Sequence, residues 1–99
     1  MSSYLICDVS VKDRNRLMEY LSLSERTLAK FGGKFLAQAG LVDVVEGDWN
    51  PQTIIIAEFP TMEKAREWYH SADYAPALSV KLKAIDRDMI IVNGVKTDT

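Results

Sequence analysis

The stretch Thr53-Ile54-Ile55-Ile56-Ala57-Glu58-Phe59-Pro60 constrains the fold more than any other part of the chain. β-Branched side chains fill it, Asn50-Pro51 supplies turn chemistry before it, and Pro60, with no N–H to give a ladder, closes it. A strand is predicted. In a strand Ile54 and Ile56 point one way while Ile55, Ala57 and Phe59 point the other, so each face is apolar and needs a cover. A chain of 99 residues offers about two helices, enough for one face of a small sheet. The other face is expected to be covered by a second protomer.

The length and a composition of 47% hydrophobic and 26% charged residues suit one domain, placed at residues 1–94, with a frayed polar tail at 95–99. The net charge is -2 and no long run of one sign occurs, which argues against generic binding to nucleic acid or anionic lipid. The amino terminus lacks a basic segment followed by a long apolar run, and the apolar stretches are strand-sized, so neither a signal peptide nor a membrane span is expected. Cys7 is the only cysteine and reads as a small core residue in a cytoplasmic protein. A lone histidine, a lone cysteine and the absence of a glycine-rich phosphate cradle or a nucleophile elbow point away from a metal centre, a bound cofactor or an acyl-enzyme.

Periodicity supplies the remaining elements. Residues 4–11 alternate as a strand with Leu5, Cys7, Val9 and Val11 on an apolar face. Asp13 is a candidate N-cap for a helix carrying Leu17, Tyr20, Leu21, Ser24, Leu28 and Phe31 at helical spacing, and Gly32-Gly33 ends it. A second strand is expected at 34–39, interrupted at Gly40 and resuming in extended form at 41–46. Thr61 caps a second helix through Met62, Ala65, Trp68 and Tyr69, a break falls at 71–74, and Pro76 opens a third helical piece reaching about Ala84. The last strand is expected at 88–93. The order βαββαβ folds, with right-handed crossovers, into an α+β, ferredoxin-like sandwich with an antiparallel four-stranded sheet. Phe35 and Ala37 are expected to face the helices with the apolar row of the first strand. Tyr4, Ile6, Asp8, Lys34, Leu36, Gln38, Ile54, Ile56 and Glu58 are left on the open face.

Several motifs recur together in one known family. Gly32-Gly33-Lys34-Phe35-Leu36, Glu46-Gly47-Asp48-Trp49-Asn50-Pro51, Ile56-Ala57-Glu58-Phe59-Pro60 and Trp68-Tyr69-His70-Ser71-Ala72-Asp73-Tyr74, in that order and spacing, resemble the family numbered 1330 among the domains of unknown function (DUF1330). The resemblance runs from about residue 4 to residue 94. It implies a dimeric α+β barrel, a homodimer whose sheets face each other, in a superfamily that also holds cofactor-independent monooxygenases; it implies no particular reaction. This chain departs from the family pattern at Gln38-Ala39-Gly40, where Arg-Gly-Gly is common, and Gln38 supplies hydrogen bonds but no charge.

The candidate chemistry falls into two groups. Asp8, Gln38 and Glu58, with Tyr4 and Lys34, project from the open face, where poorly solvated carboxylates act as proton acceptors; the simpler reading is an ion pair such as Glu58 with Lys34. Trp49, Trp68, Tyr69, His70 and Tyr74 form an aromatic and polar set in which Trp68 suits the core and His70 is a candidate base beside Tyr74 or Lys81. The expected catalytic candidates are therefore Asp8, Glu58 and His70, and the expected ligand contacts are Tyr4, Gln38, Trp49, Tyr69, Tyr74 and Lys81. A small, partly apolar organic molecule fits such a set, with proton transfer or cofactor-independent oxidation as the chemistry. The alternative is a non-catalytic module for assembly or ligand sensing.

Overall fold

The computed structural model describes residues 1–96. The chain runs β1 (Ser3–Val11), α1 (Arg14–Lys30), β2 (Lys34–Gln38), β3 (Thr53–Phe59), α2 (Met62–His70), α3 (Ala75–Ala84) and β4 (Ile85–Asn93). The sheet is antiparallel in the order β2-β3-β1-β4, so the two most apolar strands are central, as expected of the ferredoxin-like arrangement. Of the tail expected to fray, residues 97–99 lie outside the described residues.

Local chemistry places the ends of the helices. The Asp13 carboxylate accepts from the Asn15 and Arg16 amides at 3.0 and 3.2 Å, capping α1. Gly32, at φ +80, turns the chain left-handed after α1 and gives its N–H to the Ala29 carbonyl. Thr61 Oγ1 accepts from the Lys64 amide at 3.1 Å and caps α2. The Ser71 hydroxyl donates to the Trp68 carbonyl at 2.7 Å and accepts from the Tyr74 amide at 3.1 Å, which turns the chain from α2 into α3.

Register sorts the sheet into rows. On the helix side Phe35, Ala57, Leu5 and Ile91 lie across the strands, followed by Ile55, Cys7 and Met89, then Thr53, Val9 and Arg87. Leu5, Cys7, Val9, Ile55, Ala57 and Phe59 are buried there under Leu28, Ala65, Trp68 and Ala77. On the open side Ala37, Ile56, Ile6 and Ile90 form one apolar row across all four strands. One neighbouring row holds Lys34, Glu58, Tyr4 and Val92, the other Ile54, Asp8 and Asp88.

Three expectations are corrected. β2 carries a register shift between Phe35 and Ala37, so Leu36 is the extra residue, Ala37 lies opposite Ile56 on the open side, and Gln38 lies opposite Ile55 on the helix side. Gln38 is thus not on the open face. The 41–46 segment forms no strand: Ala39 turns at φ +61 and residues 39–52 leave the sheet as a loop. The last strand starts at Ile85, earlier than expected, which brings Arg87 into the sheet.

Gly33 is the tightest point of the helix-to-strand connection. A Cβ there would lie 2.7 Å from Leu28 Cγ and 2.8 Å from Phe59 Cε1, whereas at Gly40 it would meet nothing within 4 Å. Gly33→Ala is expected to destabilise the fold by about 1–3 kcal/mol through overpacking, and Gly40→Ala to stay within about 0.5 kcal/mol. Urea unfolding of the two variants checks the contrast.

Candidate functional site

The helix layer runs out over the edge strand β4, and a cleft of about 380 Å³ opens there. Met62, Arg66 and Tyr69 reach it from α2, where spacings of four and three residues put them on one stripe. Lys81 comes from α3, and Arg87, Met89 and Ile91 are alternate residues of β4 on its helix side. The lining joins an apolar floor to three cationic side chains. No carboxylate belongs to it.

Arg87 is held by two phenols. It donates to the Tyr20 hydroxyl at 2.6 Å and to the Tyr74 hydroxyl at 2.9 Å, while the two hydroxyls share a hydrogen bond of 2.5 Å. These bonds occupy two of the guanidinium's N–H donors, and a guanidinium has about five. Tyr74 is fully buried, its ring 4.1 Å centroid to centroid from that of Trp68, whose indole N–H donates to Thr27 Oγ1 at 3.1 Å. The cation is therefore fixed by a rigid aromatic block. Burial pushes the Tyr74 hydroxyl well above the ordinary phenol range, adding to the effect of Tyr20 and outweighing the pull of Arg87, so it remains a neutral phenol. Burial likewise raises the Cys7 thiol, with Arg87 opposing it more weakly. Burial works against the charge of Arg87, but the tyrosine oxygens more than offset it and its pKa is raised.

The expected site residues divide between the two faces. Tyr69, Tyr74 and Lys81 come together around Arg87. Asp8 lies on the open side and accepts from the Trp49 indole N–H at 2.9 Å, so Trp49 belongs to Asp8 and not to the aromatic set. Glu58 pairs with Lys34 at 3.4 Å, the simpler of the two readings, and sits opposite Tyr4. Four residues along the ladder separate Asp8 from Tyr4, about 13 Å. His70 ends α2 exposed, its ring edge-on to Tyr69 at 5.2 Å. Asp8, Glu58 and His70 are thus not brought into one site. Among the described residues no three His, Cys, Asp or Glu side chains cluster closely enough to share a metal ion.

Arg66, Arg87 and Tyr20 were not among the expected site residues. A signal for Arg87 exists in the sequence: with β4 started at Ile85, Ile85, Arg87, Met89 and Ile91 form one alternating row, and an arginine in an apolar row marks a buried cation. Tyr20 lies in the apolar stripe of α1, where its hydroxyl gives no separate sign.

Because Tyr74 holds its proton more tightly folded than unfolded, its contribution to stability is complete below the ordinary phenol value of 10.0 and is lost as pH rises past it. Cys7 acts with the same sign from the ordinary thiol value of 9.0. Wild-type stability is expected to fall above pH 10 by about 1.4 kcal/mol per pH unit for the tyrosine alone. Tyr74→Phe is expected to lose about 1–3 kcal/mol at pH 7 and to show a correspondingly shallower alkaline slope. Urea unfolding from pH 7 to 11 measures both, and parallel curves for the two proteins would contradict the assignment.

The fold matches solved structures at low sequence identity. The protein of unknown function RPA0582 from Rhodopseudomonas palustris is 19% identical over 97% of this chain and 84% of its own, with a TM-score of 0.78. SnoaB, a cofactor-independent oxygenase from Streptomyces nogalater, is 14% identical over 97% of this chain and 95% of its own, with a TM-score of 0.60. A dimeric ferredoxin-like protein of unknown function from Thermobifida fusca is 16% identical over 92% of this chain and 89% of its own, with a TM-score of 0.54. Among curated proteins no match is found. The sequence pattern described as "Domain of unknown function (DUF1330)" matches residues 2–95, and the chain belongs to that family.

Proposed function

We propose that the protein is a homodimer of ferredoxin-like protomers and that each protomer binds one small, partly apolar organic molecule in the cleft between α2 and β4. The observation that carries the binding reading is the cleft itself: about 380 Å³, walled by Met62, Tyr69, Met89 and Ile91 and lined by cationic groups, one of them fixed before any ligand arrives. Pre-set polar groups over an apolar floor lower the ordering cost of binding.

The open face supports the dimer. Leu36 and Ile90 are 52% and 59% exposed, and the apolar row they join continues into the 42–51 loop, which with Ile6, Ile54 and Ile56 lines a mostly apolar trough of about 560 Å³. Two relatives of the same fold, from Thermobifida fusca and Bacteroides fragilis, are described as dimeric, which favours the same arrangement here.

Binding is the reading favoured over proton abstraction. None of the candidate bases Asp8, Glu58 and His70 lines the cleft. The likeness to a cofactor-independent oxygenase is one of fold, and fold carries no chemistry by itself. Asp8 faces an adjoining polar hollow with Ser10, Asn50, Gln52 and Asp88, which shares Lys81 and Arg87 with the cleft but not its apolar floor, so an acid–base role there would operate away from that floor.

A ligand-detected NMR screen of small ring compounds tests the reading. Compounds of about ten heavy atoms are expected to bind near millimolar Kd, from roughly 0.3–0.5 kcal/mol per atom. Ile91→Trp, which fills the cleft, and Tyr69→Ala, which removes its wall, should abolish those signals while each variant still shows a cooperative melting transition, lowered for Tyr69→Ala by the loss of its packing on Trp68 and Tyr74. A screen in which every hit persists in both variants would contradict the cleft as the site.

A further inference from the structure

Resting on the cleft reading above, we propose that the ligand is an organic carboxylate whose charge is received by Arg66, Lys81 and Arg87 while its apolar body lies against Met89 and Ile91. The charge distribution favours an anion. The cleft gathers three cations and no acidic residue, in a chain whose net charge is -2. Among the described residues the ion pairs join Lys12 to Asp86, Arg16 to Asp13, Lys30 to Asp73, Lys34 to Glu58 and Lys64 to Glu67, and none involves Arg66, Lys81 or Arg87. Like charges gathered on one wall repel one another, and an anion between them relieves that repulsion.

The state of Arg87 points the same way. It is half-buried, and a cation withdrawn from water needs a counter-charge or a full set of acceptors. Its partners are the oxygens of Tyr20 and Tyr74, which leave guanidinium donors unused. The nearby Cys7 and Tyr74 are both pushed toward their neutral forms by burial, and Asp8, Asp86 and Asp88, which share the adjoining hollow with Arg87, form no ion pair with it among the described residues. A carboxylate takes a planar guanidinium through two parallel N–H bonds, and with one N–H of each terminal nitrogen given to the phenols, the edge that includes Nε is the one left for such a pair.

The apolar part of the lining and the neighbouring carboxylates fix the ligand's shape and its approach. Met62, Met89 and Ile91 would gain nothing from a bare inorganic anion, so the charge must be attached to an apolar body. Asp8, Asp86 and Asp88 line the adjoining hollow across β4, which shares Lys81 and Arg87. An anion coming from that side meets repulsion. Approach is therefore from the α2 side, past Arg66.

Isothermal titration with cyclohexanecarboxylate and its uncharged isostere cyclohexanecarboxamide, at low salt, tests the proposal. The acid is expected to bind at least about tenfold more tightly than the amide. Arg66→Gln and Lys81→Gln, both at solvent-accessible positions, should each weaken the acid by about three- to tenfold and leave the amide unchanged, and inorganic phosphate should compete poorly. Equal binding of acid and amide, both lost in Ile91→Trp, would overturn the carboxylate assignment while leaving the cleft as a ligand site. Acid binding that survives Arg66→Gln, Lys81→Gln and Ile91→Trp unchanged would overturn it by locating the anion elsewhere. Failure of both probes to bind, together with a screen in which no signal depends on Ile91, would remove the cleft reading as well.

Discussion

Apolar side chains on both faces of β3 are the constraint from which the rest follows. Ile55, Ala57 and Phe59 are covered by the helices, and Ile54 and Ile56 face the other way with no helix left to cover them. Because side chains alternate strictly, no register puts all five on one side, so a single layer of helices cannot satisfy the strand. The same geometry places β3 and β1 at the centre, where each is paired on both edges and its apolar rows extend across the sheet. The homodimer proposed above would complete the burial that the helix layer begins by covering the second face with another copy of the chain.

The cleft is the other consequence of having few helices. α2 packs over the sheet with Trp68 and Ala65 buried, but the layer stops short of the outer row of β4. At that margin Arg87 occupies a position of an otherwise apolar row, opposite Val9. A cation there would be costly without acceptors, and the Tyr20–Tyr74 pair, anchored through Trp68, supplies them. Core packing and the candidate site are thus one structure: the aromatic block that stabilises the helix layer also orients the guanidinium that the cleft presents.

The fold was legible in the sequence wherever one local rule dominated. Asp13 and Thr61 act as N-caps, Gly32 turns left-handed, Pro76 stands in the first turn of α3, and the two-faced β3 is central, all readable from propensity and period. What escaped depended on neighbours. The extra residue at Leu36 changes which side Ala37 and Gln38 face, and a bulge leaves no trace in an alternating run as short as 34–39. The 41–46 valines have strand composition but no partner strand, so they remain a loop. Of the candidate site, Tyr69, Tyr74 and Lys81 stand out in the sequence as polar groups near the end of α2 and in α3, whereas Arg87, beside which the structure places them, joins an apolar row only when β4 starts at Ile85. Asp8 and Glu58 were placed correctly on the open face, but their partners, Trp49 and Lys34, give each a structural explanation.

Sedimentation equilibrium of the wild-type protein and of Ile56→Lys, each at micromolar concentration, tests the two-sided burial most directly. A sheet whose open face is covered by a second copy gives the wild type twice the protomer mass of 11.2 kDa, and Ile56→Lys, folded by circular dichroism, the protomer mass itself. A wild type that sediments as a stable, folded monomer would show that Ile6, Ile54 and Ile56 tolerate water without a partner, and would contradict the account at its base.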